Sequence, residues 1–183
     1  MEDSEAMDLL RPALPAAAGG EWADLGAGTG TFTRALAALL GPGARIHAVD
    51  ADERALRGLR PTAARRQGSA EIVILPGDFT RPLPLPPLDG MVMANALHFV
   101  RDQPAAVALA ASYLRLGGRL VVIEYQHRPP NPWVPHPVSA ARFAELAADA
   151  GLARPHVVAR RPSAYGGEMY VAVAERVQEQ SSR

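Results

Sequence analysis

Apolar positions along this chain fall into short runs separated by glycine, proline and acidic residues, and their period switches repeatedly between two and about 3.6 residues. Residues 21–25, 44–49, 71–75, 91–94, 119–125, 156–159 and 169–174 read as strands. Ile72, Val73, Ile74 and Leu75 form an unbroken apolar run of the kind found where a strand is covered on both faces. Phe32, Leu36, Leu39 and Leu40 share one face of a helix that Thr29 or Thr31 can cap. Further helices are predicted over 52–59, stopped by Pro61, and over 103–115, with Val107, Ala110, Ala111 and Leu114 inward and Gly117 and Gly118 closing the end. Ser139 caps a helix through Phe143, Leu146 and Ala147 that ends at Gly151. A short helix over 4–11, with Met7 and Leu10 on its apolar side, lies within a lead of about twenty residues, and 176–183 are expected to be a disordered tail. The last two strands leave no room for a helix between them, so they pair antiparallel across residues 163–167. Five strand and helix alternations closed by a hairpin predict an α/β protein. The expected fold is a three-layer αβα Rossmann-like sandwich, its seven-stranded sheet mostly parallel with an antiparallel C-terminal strand. With 183 residues the chain fits one domain and no second.

Polar residues recur where the strands end. The first strand stops at Asp24 and turns through Gly26, Ala27, Gly28 and Gly30. Glycines on alternate positions let the backbone adopt φ > 0 and leave no Cβ between the turn and whatever lies against it. The second strand ends at Asp50, the third at Gly77, Asp78 and Phe79, and the fourth at Asn95 and His98. In open α/β sheets ligands bind outside the carboxyl ends of the strands. Two readings of the glycine loop compete, a bare turn and a nucleoside-cofactor site. Asp50, placed to accept hydrogen bonds from a ribose, favours the second.

Composition removes several alternatives. Lysine plus arginine and aspartate plus glutamate number 19 each, so no net field draws in nucleic acid or an anionic membrane. There is no cysteine, hence no disulfide or thiolate metal site. The acidic start lacks the basic and apolar regions of a secretory signal, and no window approaches a membrane-spanning length, so the expected compartment is the cytoplasm. Residues 81–87 are proline-rich and read as an extended connection. The loop 126–137 holds five prolines with Trp133, His127 and His136. No clustered carboxylates accompany those histidines, which favours a proline-stiffened loop over a metal site, and no metal is expected. Arg65, Arg66, Arg160 and Arg161 read as solvated faces.

The motif Asp24-Leu25-Gly26-Ala27-Gly28-Thr29-Gly30, Asp50, Gly77-Asp78-Phe79, the segment 89–98 and the segment 114–120 together resemble a class I S-adenosylmethionine-dependent methyltransferase of the small-molecule, type 11/12-like kind. The resemblance covers residues 20–125 and extends to about 175 through the hairpin. It departs at Leu116, where the family usually has proline, and in the brevity of the N-terminal region that relatives use to cover the substrate. It implies that the backbone of Gly26, Ala27, Gly28 and Gly30 holds the methionine part of S-adenosylmethionine while Asp24 orients nearby donors. Asp50, with Ala51 beside it, would take the ribose hydroxyls. Asp78 would accept from the adenine amino group, with Phe79 against the ring, and Asn95 would lie near the sulfonium. The acceptor would be a small molecule, met by His98, Tyr125 and Trp133, and the product S-adenosylhomocysteine. For a hydroxyl acceptor His98 is the best-placed base, with Glu124 and Tyr125 behind it, although a histidine between Leu97 and Phe99 is also an ordinary packed residue. Two other readings stay open, a nicotinamide-dependent oxidoreductase and a non-catalytic protein that binds S-adenosylmethionine. Against the first, the loop is G-x-G-x-G rather than G-x-G-x-x-G, and a dinucleotide enzyme gives no reason for Asp78 and Phe79.

Overall fold

Alternation along the strands decides the layering. In the computed structural model, which describes residues 2–16, 19–59, 68–163 and 166–178, successive side chains of the central strands point into two separate apolar clusters. Trp22, Ile46, Ala48, Val92, Val121 and Ile123 face one cluster, and Ala23, Val49, Met91, Met93, Leu120 and Val122 face the other. Both faces must therefore be covered. Helices α1 (Asp3–Leu10), α2 (Thr31–Leu40) and α3 (Glu53–Leu56) supply Leu9, Leu10, Leu36, Leu40 and Leu56 to the first. Helices α4 (Gln103–Tyr113) and α5 (Ala140–Asp149) supply Val107, Ala110, Phe143 and Leu146 to the second. Full burial of each large apolar side chain contributes roughly 1.5–3 kcal/mol relative to leaving it in water.

The seven strands are β1 (Gly20–Leu25), β2 (Ala44–Asp50), β3 (Glu71–Pro76), β4 (Leu88–Ala94), β5 (Leu114–Gln126), β6 (His156–Pro162) and β7 (Glu168–Glu175). Their order is β3-β2-β1-β4-β5-β7-β6. All neighbours from β3 to β5 run parallel, and β7 runs antiparallel to both β5 and β6. This is the αβα sandwich expected from the pattern, with the hairpin pairing in the anticipated sense. The strand order reverses between β1 and β4, which opens a crevice above the glycine loop.

Several local features differ from the expectation. Gly30, at φ 89°, is the N-cap of α2, and no side chain caps that helix. Thr29 and Thr31 are thus not the caps. Thr33 in the first turn instead sends its hydroxyl to Asp24. Helix α4 ends at Tyr113, before the paired glycines, because Leu114 is already paired with Leu88 in the ladder. The next β4 residue in register, Gly90, meets Arg119, so the intervening residues bulge out of the sheet. Gly118 is needed there, since a Cβ would stand 2.9 Å from the carbonyl oxygens of Leu88 and Arg115. The segment expected as a helix over 52–59 is one α-turn continued by a 3-10 turn (Arg57–Leu59), and Pro61 lies outside the described residues. Ser139 caps α5 as anticipated. Within the expected lead, α1 is a packed element with Ala6, Leu9 and Leu10 buried. Of the expected tail, Arg176 pairs with Leu152 in an isolated bridge, and 179–183 lie outside the described residues.

Candidate functional site

The glycine loop is tied down from inside. The amides of Gly26 and Ala27 both donate to the Val49 carbonyl at 2.9 Å, and that of Gly30 donates to the Ala27 carbonyl at 2.9 Å. The Gly28 amide donates to Asp50 Oδ2 at 2.7 Å, while Asp50 Oδ1 accepts from the Asp52 amide at 2.8 Å. The glycines serve different ends. A Cβ on Gly26 would stand 2.6 Å from that of Ala96, so close packing excludes a side chain there. Gly28 has φ +54° and nothing within 4 Å of where its Cβ would be, so its bare face looks into open space.

That space is an elongated cleft of two limbs sharing Gly26, Gly28 and Asn95. One limb, a cavity of about 570 Å³, is lined by Asp50, Ala51, Asp78, Phe79, Ala96 and Phe99. The other, about 370 Å³, is lined by Asp24, Ala27, Tyr125, Arg161, Met169 and Glu5 among others. A further cavity of about 560 Å³ lies among the opposite strand ends, where Arg45 pairs with Glu21 and Glu71, and Arg115 with Asp89. Its charges compensate one another and the glycine loop is not part of it, so the two-limbed cleft is the better candidate.

Asn95 stands at the junction of the limbs with φ 53°, its amide donating to the Ile123 carbonyl at 2.9 Å. Its Oδ1 is buried and has no hydrogen-bond partner among the described residues. Leaving such an acceptor unmet costs about 1–3 kcal/mol, which a bound donor would recover. Asp24 is only 1% exposed and accepts from the Thr33 hydroxyl at 2.6 Å. Burial pushes its carboxyl up to about 6, and the neighbouring Asp50 charge adds to the rise, while the Thr33 bond opposes it. Asp78 is held by Thr80, whose amide and hydroxyl donate to Oδ1 at 2.9 and 2.7 Å, and these bonds lower its carboxyl below the usual range.

The expected acceptor residues are dispersed. His98 is 2% exposed, its Nδ1 lying 2.7 Å from Glu124 Oε2 and its amide donating to Glu124 Oε1 at 3.1 Å. Glu124 itself is fully buried on β5. The imidazole lies between the rings of Phe99, at 4.4 Å, and Tyr125, at 5.9 Å, both of which line the cleft. The Arg128 guanidinium sits 4.6 Å over the Tyr125 ring. Trp133 is 77% exposed on a turn closed by an Asn131 to Val134 bridge and lines neither limb. No group of three or more potential metal ligands occurs among the described residues. The structure therefore gathers Asp24, Gly26, Ala27, Gly28, Asp50, Ala51, Asp78, Phe79, Asn95 and Tyr125 on one cleft. His98 adjoins it from behind, and Gly30 packs against Leu59.

Glu5 and Phe99 line the cleft without having been singled out in the sequence, and Arg161, read there as part of a solvated face, lines it too. Glu124, a carboxylate closing the apolar run Leu120-Val121-Val122-Ile123, was expected behind His98 and lies against it. Glu5 and Arg161 had no such signal, because residues 156 positions apart meet only in the fold.

Residues 23–120, more than half of the chain, match the family described as a methyltransferase domain. The chain belongs to this methyltransferase family. It is 35% identical over 114 residues to a demethylmenaquinone methyltransferase of Tropheryma whipplei, covering 62% of this chain and 45% of that protein. The chain thus aligns with less than half the length of this curated relative. Among solved structures, the N-methyltransferase NodS of Bradyrhizobium japonicum superposes with a TM-score of 0.75 at 20% identity, over 96% of each chain. Human N-acetylserotonin methyltransferase, solved with S-adenosylmethionine, gives 0.71 at 19% identity over 95% of this chain and 52% of its own. At these identities the structural matches establish the methyltransferase fold. No helix of the described residues is long and apolar enough to cross a membrane.

Proposed function

We propose that this methyltransferase-family protein transfers a methyl group from S-adenosylmethionine to a small-molecule acceptor. The observation that carries the reading is the cleft itself: two limbs joined at Gly26, Gly28 and the unpartnered Asn95 Oδ1, with carboxylates at both ends. Such a shape and set of acceptors suit a nucleoside joined to a charged amino-acid tail. In the larger limb, Asp50 would accept from ribose hydroxyls and Asp78 from the adenine amino group, with Phe79 against the base. In the smaller limb, Asp24 would face the ammonium end. The balance of acidic and basic residues gives no support to a nucleic-acid acceptor.

When bound, S-adenosylmethionine supplies a methyl group on an activated sulfonium, whose carbon–sulfur electron pair returns to sulfur as the thioether leaves. The chain's own contribution is first to align acceptor and donor, worth roughly 7–11 kcal/mol. For a hydroxyl acceptor, a proton must also leave as the new carbon–oxygen bond forms. His98 is the base in this reading. Glu124 accepts from Nδ1, which leaves Nε2 as the basic nitrogen to take that proton, a contribution of typically 10²–10⁴-fold. In this reading the acceptor lies against Tyr125 and Phe99, which line the cleft with ring centroids 5.9 and 4.4 Å from that of the imidazole.

The similarity to an enzyme named for demethylmenaquinone makes quinones and their reduced, hydroxylated ring forms the first acceptor class to test. Incubation with S-adenosylmethionine labelled on the methyl group and a panel of phenols, quinols and amines should transfer label to one class. Transfer to none, with cofactor bound, would favour a binding protein that does not catalyse.

A further inference from the structure

We infer that Arg161 receives the carboxylate of the cofactor's amino-acid tail and that Glu5 occupies this position beforehand, as an internal stand-in released when cofactor enters. The inference rests on the S-adenosylmethionine reading of the cleft and names a residue that this reading leaves out.

The tail is a zwitterion, so it needs an acceptor for its ammonium and donors for its carboxylate. Backbone amides of a glycine loop are the usual source of such donors. Here those of Gly26, Ala27, Gly28 and Gly30 are already given to Val49, Asp50 and Ala27. A guanidinium lining the smaller limb can take the carboxylate beside the backbone of Thr29, Thr31 and Phe32, which lines it too. Among the described residues lining the two limbs, Arg161 is the one arginine or lysine. It enters the smaller limb from the end of β6, in the cavity that also holds Asp24.

Arg161 is not idle. Its Nη2 donates to Glu5 Oε1 at 2.7 Å, and the side chains are 32% and 41% exposed. A pair this exposed is held weakly enough for a ligand carboxylate to exchange with it, and the guanidinium fork is well shaped for a bidentate replacement. Releasing Glu5 need not release its helix. α1 stays anchored by Ala6, Leu9 and Leu10 in the core and by Asp3, which takes two bonds of 2.8 Å from Arg34 on α2. Glu5 Oε2 meanwhile accepts the Glu2 amide at 2.9 Å, so a glutamine can keep that capping bond.

The test is titration calorimetry with two probes, S-adenosylhomocysteine and 5′-methylthioadenosine, which has the nucleoside thioether without the amino-acid tail. Folded Arg161→Met should bind S-adenosylhomocysteine at least tenfold more weakly than the parent while its affinity for 5′-methylthioadenosine stays within twofold. Glu5→Gln, which neutralises the competitor, should bind S-adenosylhomocysteine severalfold more tightly with no gain for the tailless probe. Equal losses for both probes in Arg161→Met, or S-adenosylhomocysteine affinity within twofold of the parent, would overturn the assignment. A parent protein that binds neither probe would instead remove the cofactor reading beneath it.

Discussion

Asp24→Asn should make the ligand-free protein more stable and the cofactor complex weaker. The Asp24 carboxyl is buried at the end of β1, and its pKa rises from 3.8 to about 6, chiefly through burial and secondarily through the Asp50 charge. At about 1.4 kcal/mol per pH unit, that rise corresponds to about 3 kcal/mol. The sign follows from linkage: the folded state keeps the proton to higher pH than the unfolded chain. The penalty is therefore absent well below pH 4, grows between about pH 4 and 6, and is fully present above pH 6. An asparagine avoids it and can still accept from the Thr33 hydroxyl. Urea unfolding should give Asp24→Asn an advantage of about 3 kcal/mol at pH 7.5, falling to about 1 kcal/mol at pH 4.5. For a chain of this size the advantage at pH 7.5 amounts to roughly 6–12 °C in melting temperature, at about 2–4 °C per kcal/mol. Loss of the charge facing the ammonium end should at the same time cost about tenfold or more in S-adenosylhomocysteine affinity, a stability and function trade-off at one atom. A variant no more stable than the parent at pH 7.5, or with the same difference at both pH values, would refute the reasoning about burial.

Gly28→Val should abolish S-adenosylhomocysteine binding: the added side chain enters open cleft rather than packed core, and the φ of +54° it must adopt strains the loop by about 1–3 kcal/mol, a cost the fold can carry while circular dichroism stays native. Unchanged affinity in a folded variant would move the ligand away from the loop. Glu124→Gln and His98→Ala should each lower turnover on a hydroxyl acceptor at least tenfold at saturating cofactor. If Glu124 acts by positioning the imidazole, its variant should also shift the acid limb of the pH–rate profile. Turnover of His98→Ala within twofold of the parent would mean that alignment alone does the work.

The alternation of strands and helices was legible because most strands are short and bounded by glycine, proline or acid, and the central ones carry apolar residues that the sheet buries on both faces, whereas β3, which read as an interior strand, is half-buried at the sheet edge. Asp24, Gly28, Asp50, Asp78 and Asn95 could be placed on one edge for the same reason: strand ends of a parallel sheet share an edge, whatever lies between them. Local competition was harder to read. Gly30 took the N-cap of α2 from its threonine neighbours by adopting φ 89°, and the Leu88 to Leu114 pairing drew the chain into β5 before the paired glycines. Side-chain partners from distant elements, Glu124 behind His98 excepted, were not legible. The solvated arginine expected at 161 faces the cleft through a contact with α1, and Trp133, on a turn held by its own Asn131 hydrogen bonds, is exposed and lines neither limb.

The central claim, that the cleft joined at Gly28 and Asn95 is an S-adenosylmethionine site, is tested most directly by calorimetry of the parent protein with S-adenosylhomocysteine and, separately, with NADH. The account predicts one-to-one binding of S-adenosylhomocysteine, lost in Gly28→Val, and no heat with NADH. Saturable binding of NADH that depends on Asp50, with none of S-adenosylhomocysteine, would contradict it.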